Sequence, residues 1–541
     1  MLSQFNGAET SWIALLALTN HLYFNRYEPK SANVPLLVLT IEPILLLFAL
    51  ATPVSLFRVL SAYIVFGFTL CSSIIIYRIS PWHPLAHIPG PTIYKITKLW
   101  GMWVFSGGNQ HTVNKALHDK YGPFLRTGPN EVSIIHVDAV KAVLGTGGFQ
   151  KGQYYEPRSD PTLKTRSLLA LRGEPHANRR RIWNRGLSSE SLKDYESILA
   201  KRVAQLMDRL EGLSGPVDIA EWFSYFTFDF MGDMAFGGGF EMLRDGGDKE
   251  GLWTIIKNGA KSIALVCHIP WLVPTLYLLP LATREPQKLR KFGATCATNR
   301  IRTGSRVKDL WYHLTDEVGM EKKKPTLAEV VADGVLSIIA GSDTTSIAIS
   351  SFVWFILRNP DIYRRVQAEV DSVYADGDSL LDALKHDELR FLTACLNETM
   401  RLHPPVPTNG TRQVPSGGGK MIAGRFIPED THIYIPPYSL HRTAENFSPS
   451  PDKFDPDRWL RPQTTGEVLN MAAFIPFSYG AANCVGKPLA WREMLMVTST
   501  LLRKFNLRFA DGFESDDWLG NLHDVFLTSI DGPLLVEISR R

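Results

Sequence analysis

The stretch Phe474-Ile475-Pro476-Phe477-Ser478-Tyr479-Gly480-Ala481-Ala482-Asn483-Cys484-Val485-Gly486-Lys487 decides the fold. Two glycines and two alanines around one cysteine let the backbone run close to something flat and bulky. A helical pattern begins directly after it, with Pro488 in the first turn, where a missing N–H does no harm. Cys484 therefore stands at a helix N-terminus, where free N–H groups and partial positive charge favour a thiolate. An inert buried cysteine has the same local signature, so other motifs must decide.

Upstream, Thr326-Leu327-Ala328-Glu329 is a capping box. It opens an apolar helix running to about Arg358 and stopped by Asn359-Pro360. Such a helix far exceeds the usual length of about 11 or 12 residues. Being apolar nearly all round, it is expected to cross the middle of a domain. It contains Ala340-Gly341-Ser342-Asp343-Thr344-Thr345. A carboxylate beside hydroxyls in a buried helix costs stability unless it is used, and Thr344 can turn its hydroxyl onto a carbonyl one turn back. A bend holding a few waters is the alternative. Glu398-Thr399-Met400-Arg401 places an acid and a guanidinium three apart on one helix face, just before His403-Pro404-Pro405. Phe454-Asp455-Pro456-Asp457-Arg458-Trp459 offers a second arginine in a rigid loop.

In this order and at these separations, the four motifs resemble the cytochrome P-450 family of haem-thiolate monooxygenases, in its membrane-anchored, eukaryotic, fungal-type form. The resemblance runs from a Pro-rich connector near residue 81 to the C-terminus. It implies haem b, with Cys484 as the axial iron ligand that pushes electron density to the metal. It also implies Asp343 and Thr344 as an acid–alcohol pair relaying protons, Gly341 leaving room for dioxygen, and Phe477, Gly480 and Gly486 shaping the loop against the macrocycle. Glu398, Arg401 and Arg458 look like the family's structural triad. His176, Arg180 and Arg412 match its propionate contacts, whereas Ala482 replaces the usual basic residue two before the cysteine.

The activity implied is insertion of one oxygen atom into a lipophilic small molecule, by hydroxylation or epoxidation. Electrons would come from NADPH through a separate cytochrome P-450 reductase, with cytochrome b5 as an optional second donor. No flavin or nicotinamide domain is expected in this chain. Lys487 and the basic helix around Arg181 are the expected docking face. A terpenoid or other secondary metabolite is favoured as substrate; a fatty acid or alkane is the alternative. An isomerase or dehydratase on the same fold is disfavoured by the Asp343-Thr344 pair. A non-catalytic membrane haem-binding protein is the rival from another class.

Composition agrees with a large packed body. Of 541 residues, 45% are hydrophobic and 21% charged, which excludes wholesale disorder. A net charge of +4 gives no ground for a nucleic-acid partner. Cys71, Cys267, Cys296, Cys395 and Cys484 form no Cys-x-x-Cys pair, so a disulfide scaffold is not expected. The pattern predicts one mainly α domain with small β-sheets (α+β), with late strands at His432–Ile435 and Leu534–Ile538.

The first 80 residues read as a membrane anchor of one or two helices, 34–57 and 59–77, turning near Pro53-Val54-Ser55; a span needs about 20 apolar residues. Trp12–Leu18 is too short to span alone. Residues 81–91 hold four prolines and read as a stiff, extended hinge, leaving 92–541 as the catalytic domain. Lys95 and Lys98 beyond the hinge favour a cytosolic body on the endoplasmic reticulum membrane. Trp271–Leu279 is a second apolar segment, open to core packing or to membrane contact.

Overall fold

The computed structural model describes residues 7–29, 31–50, 55–159, 165–238, 240–249, 251–305, 307–375, 377–461 and 466–541. Thr326 caps the longest helix as its sequence predicts. Its hydroxyl accepts the Glu329 N–H (3.4 Å), and the Glu329 carboxylate accepts the Thr326 N–H (2.8 Å). The helix spans Leu327–Leu357, 31 residues, and ends at Arg358 before Asn359-Pro360. It packs along Ile219–Phe236, where Phe226, Phe228, Phe230 and Phe352 are fully buried. Each such ring contributes about 1.5–3 kcal/mol of burial. Helices Ser189–Glu211, Pro360–Val373, Arg390–Leu402 and Lys487–Lys504 complete this core.

A five-stranded mixed sheet stands beside the helices, in the order Phe124–Gly128, Glu131–Ile134, His432–Tyr434, Arg412–Gln413, Gln150–Lys151. Only the contact between Glu131–Ile134 and His432–Tyr434 is parallel. The expected late strands are present at His432–Tyr434 and Leu535–Arg540. The fold class is mainly α with small sheets.

The N-terminal segment differs in detail from its sequence reading. Three helices, Gly7–Arg26, Asn33–Ala49 and Leu56–Ile79, pack through Ile13, Ala17, Leu47, Ala62 and Phe66. Leu56–Ile79 is long and apolar enough to cross a bilayer; Asn33–Ala49, at 17 residues, is shorter. Trp12–Leu18 is part of a 20-residue helix and not an isolated short run. Glu42 is satisfied by Asn20, and Arg58 by Glu9 at 2.9 Å. Pro53 and Val54 of the expected turn lie outside the described residues.

Residues 81–91 are not extended. They coil through successive turns, with His83 N–H on Ser80 O, Ala86 N–H on His83 O and Ile88 N–H on Leu85 O. Leu85 and Ile88 drive this by burying their side chains against the sheet core, and Gly90 passes too close to the Arg126 carbonyl for any Cβ. Local turn bonds and apolar burial outweigh proline's preference for extended backbone.

Candidate active site

The cysteine loop closes on itself before its helix starts. Cys484 N–H donates to Phe477 O at 2.8 Å, and Ser478 and Gly480 sit at φ 60° and 73°. At Gly480 a Cβ would strike the Leu144 carbonyl, so only glycine fits. The role of Gly480 is thus to seat the loop on the neighbouring turn. The Cys484 sulfur accepts N–H bonds from Gly486 and Lys487. It reaches a free surface while enclosed by protein, which places it on the floor of a recess. Burial raises its pKa; the two N–H groups and the charges of Arg180 and Lys487 oppose this less strongly. The helix terminus alone therefore does not make the thiolate expected from sequence. A metal ion does, since a coordinating thiol loses its proton outright.

Beside the loop is a cluster of cations. Helix Gly173–Gly186 carries His176 and Arg180 one turn apart, and Arg180 donates to Asn483 O (2.5 Å) and Asn483 Oδ1 (2.6 Å), next to the cysteine. Arg412 and Lys151 stand directly opposite each other on antiparallel strands, both buried. Lys151 Nζ donates to Leu168 O at 3.0 Å, while Arg412 Nε has no partner. Among the described residues no carboxylate pairs with Lys151, Arg180 or Arg412. Burial, then the charges of Arg412 and Arg180, push Lys151 down to about 7. Burial, then Lys151, Arg180 and Arg412, push His176 down to about 4. Like charges facing across a strand pair destabilise, so this cluster is built for an anion. Lys151 carries no motif; only its pairing with Arg412 reveals it.

The expected free basic face on this helix is narrower than its sequence suggests. Arg179 is buried against Asp333 (2.8 Å), and Arg181 and Arg185 pair with Glu321 and Asp316. Lys487 remains exposed, over the Phe477 ring.

On the central helix Thr344 Oγ1 donates to Ala340 O at 2.7 Å, the bond its sequence predicts, and the helix continues unbroken. Burial raises the Asp343 carboxyl to about 6, opposed by Lys257 and Trp253 from helix Leu252–Val266. At Gly341 a Cβ would lie 2.6 Å from Met231 Sδ, so its absence permits the close approach of Ile219–Phe236. Glu493, on the cysteine helix, is buried; Thr345 is its side-chain partner, Oε1 has none, and burial holds its carboxyl far above the usual range.

Asp343 and Ala340 line a cavity of about 1260 Å³. Its other walls include Trp253, Lys257 and Ile263 of Leu252–Val266, Val335 and Ile339 of the central helix, Arg158, and Phe526 from the C-terminal hairpin. Cys484 and Thr344 are outside this lining.

Behind the loop, Glu398 is fully buried and accepts from Arg401 Nε (2.8 Å) and Nη2 (2.9 Å), Arg458 Nε (3.0 Å), Trp459 Nε1 (3.0 Å) and Asp455 N (2.9 Å). The triad of the sequence reading is thus assembled, with Trp459 as a fourth member. His441 is a further link that the sequence did not suggest. Ile475 N–H donates to its Nε2 (2.9 Å), so the ring proton sits on Nδ1 and donates to Arg401 O (3.2 Å). This joins the triad to the strand of chain leading into Cys484.

Haem b brings an iron that takes a thiolate and a flat macrocycle with two propionates. A recessed cysteine whose sulfur faces free space, flanked by buried cations without carboxylates, fits it. Among the described residues no cluster of His, Cys, Asp or Glu suggests a different metal centre. The fold and this site define a helical haem-binding oxygenase.

The chain belongs to the cytochrome P450 family, whose profile matches residues 89–529. It is 31% identical to cytochrome P450 67 of Uromyces fabae over 97% of this chain and 98% of that one. It is 32% identical to cytochrome P450 monooxygenase FCK2 of Fusarium pseudograminearum, covering 87% and 85%. To tryprostatin B 6-hydroxylase of Aspergillus fumigatus it is 30% identical, covering 85% and 82%. It is therefore an oxygen-incorporating oxidoreductase with a haem-thiolate iron cofactor.

Proposed function

We propose that this protein is a membrane-anchored monooxygenase of lipophilic secondary metabolites, terpenoids foremost, with Cys484 as the axial ligand. The observation that carries this is the recessed Cys484 beside a buried, carboxylate-free cation cluster. Residues 1–80 form the anchor, 81–91 the connector and 92–541 the catalytic domain. Bound haem supplies the oxidising chemistry: with two electrons and two protons, one atom of dioxygen enters a C–H or C=C bond and the other leaves as water.

The protein's own groups hold, orient and deliver. Arg180, Arg412 and His176, joined by Lys151 in place of a basic residue at 482, hold the propionates. Gly486 and Lys487 N–H groups aim the sulfur. Asp343 stands at the cavity with a carboxyl poised near pH 6, suited to passing protons between solvent and the Thr344 hydroxyl. Thr344 gives up its bond to Ala340 O when it donates inward. Electrons come from NADPH through a separate reductase, with cytochrome b5 as an optional donor, and Lys487 remains the exposed cation beside the cysteine for that encounter.

The body faces the cytosol from the endoplasmic reticulum membrane. Trp271, Leu278 and Leu279 are exposed, and Trp271 O accepts Ala32 N–H at 2.8 Å, so this apolar face lies beside the anchor and enters the bilayer surface with it.

The test is the Soret band of the carbonyl-bound reduced protein, wild type and Cys484→Ser, followed by titration of the oxidised protein with polycyclic terpenoids and linear fatty acids. A thiolate band lost in the variant supports the ligand, and a tighter spectral response to terpenoids than to linear fatty acids supports the substrate class. An imidazole-type band in the wild type would overturn the reading.

A further inference from the structure

Arg158 closes the short helical turn Gln153–Arg158 and lines the 1260 Å³ cavity. Three rings pack round its guanidinium: Phe526 at 4.0 Å, Tyr154 at 4.8 Å and Tyr155 at 5.4 Å to the centroids. Nη1 donates to Tyr154 O (3.1 Å) and Cys267 Sγ (2.8 Å). Burial pushes the Cys267 thiol up to about 11, so this sulfur is neutral and balances no charge. Among the described residues no carboxylate lies within ion-pair reach of Arg158, and Nε and Nη2 have no protein partner.

Lys261, Arg290 and Glu221 also line the cavity, and three further acids have partners there. Lys257 faces Asp343, Asp218 caps Ala220 and accepts Leu534 N–H, and His523 faces Asp531 at 3.5 Å. A guanidinium cannot discharge by losing its proton, so Arg158 is a fixed cation on the cavity wall with no ion-pair partner among the described residues. Ring faces offset part of the desolvation cost, but an open edge of N–H donors remains, the geometry that grips a carboxylate with two parallel bonds. Ile263, Leu289, Val335 and Ile339 add apolar lining to the cavity.

We infer that Arg158 anchors a carboxylate of the substrate, and that this cavity takes a lipophilic monocarboxylic acid in preference to its neutral counterpart. This rests on the proposed reading of the cavity as the substrate site and narrows it. Lys151 also feels the Arg158 charge, so a carboxylate could reach Arg158 from a haem propionate as well. The substrate is favoured because Arg158 lines the cavity, whereas Lys151, Arg180 and Arg412 do not.

The probes are ω-imidazolyl alkanoic acids of increasing chain length and the matching alkanols. The imidazole seats on the iron in either series, and the tail end samples the cavity. Haem content and the thiolate Soret band are measured first; their absence in the wild type fails the proposed function, whereas a normal band without acid preference fails only the anchor. At the chain length that reaches Arg158, the acid should bind roughly ten- to a hundredfold more tightly than the alcohol. The preference should vanish in Arg158→Gln and return in part in Arg158→Lys. Equal binding of acid and alcohol at every length overturns the inference, as does a preference that survives Arg158→Gln. Loss of haem from both Arg158 variants would assign the residue to a propionate and overturn it too. If Arg158→Gln does not fold, the wild-type ratio and the Arg158→Lys variant still decide.

Discussion

Replacing Glu398 by glutamine keeps the size of the side chain and removes one charge. In the native site its carboxylate accepts five hydrogen bonds, from Arg401 Nε and Nη2, Arg458 Nε, Trp459 Nε1 and Asp455 N. Both guanidinium groups are at most 3% exposed. A glutamine oxygen takes only part of this load, and its NH2 points donors at donors. Two buried cations then lose their shared counter-charge, and Arg458 keeps only the Asp455 carboxylate at 4.0 Å. Breaking a buried pair from one side costs about 3–5 kcal/mol, which for a protein this large lowers Tm by roughly 3–5 °C.

The damage should also be directional. His441 relays the triad to Ile475, and Ile475 leads into the cysteine loop. Haem should therefore leave Glu398→Gln at temperatures where the helical signal is still native, read by following the Soret band and far-ultraviolet dichroism in one melt. The double variant Glu398→Gln/Arg458→Met, which removes one stranded cation, should recover part of the loss through coupling of about 0.5–3 kcal/mol. Coincident melting of the two signals near the wild-type Tm would refute the reasoning, because it would mean that the buried carboxylate neutralises nothing.

Gly341→Ala should cost about 1–3 kcal/mol by overpacking against Met231, and Met231→Ala in the same chain should relieve it; thermal melts of the three variants decide. Lys151→Met should speed haem transfer to apomyoglobin about tenfold with little change in Tm, since it removes a propionate partner and an unfavourable buried charge together. Glu493→Gln should leave the unfolding free energy within about 0.5 kcal/mol of wild type, because burial already keeps that carboxyl protonated. Acid should destabilise the fold: His441, at about 3, and His111 and His118, at about 4, stay neutral when folded, so the unfolded chain binds protons first as pH falls below 6.5. Each adds up to about 1.4 kcal/mol per pH unit. Asp229, Asp309 and Asp524, raised to about 6, pull the other way below that pH. His83, His176, His386 and His432 are depressed in the same way and outnumber these acids, so Tm should keep falling below pH 6, as pH-dependent calorimetry would show.

Local signals carried the scaffold well. A capping box and a terminal Asn-Pro mark both ends of the central helix, because caps act over three or four residues and leave their signature in consecutive letters. The triad was legible for the same reason at Glu398 and Arg401. Lys151 and His441 were not, because their importance lies in contacts between distant strands and loops: Lys151 meets Arg412, 261 positions on, and His441 meets Ile475. The packing of Gly341 against Met231 was not legible for the same reason, since it joins separate helices. The coiled connector at 81–91 misled because proline statistics describe isolated backbone, whereas Leu85 and Ile88 find a core to enter.

The cysteine loop is fixed from several independent directions: the Leu144 carbonyl beneath Gly480, Arg180 across Asn483, and His441 through Ile475. Three contacts from different elements thus converge on the loop that holds the sulfur. The cavity is built differently. Its far wall is built from helix Leu252–Val266, which turns by 105° into the segment ending at Leu276, and from the hairpin around Phe526. These are surface elements whose side chains meet the cavity before they meet one another, so a substitution there changes the cavity's shape or charge at little cost to the core. Arg158 stands on this cavity wall, held by rings and one thiol, and by the inference above it would favour an acid over its neutral counterpart.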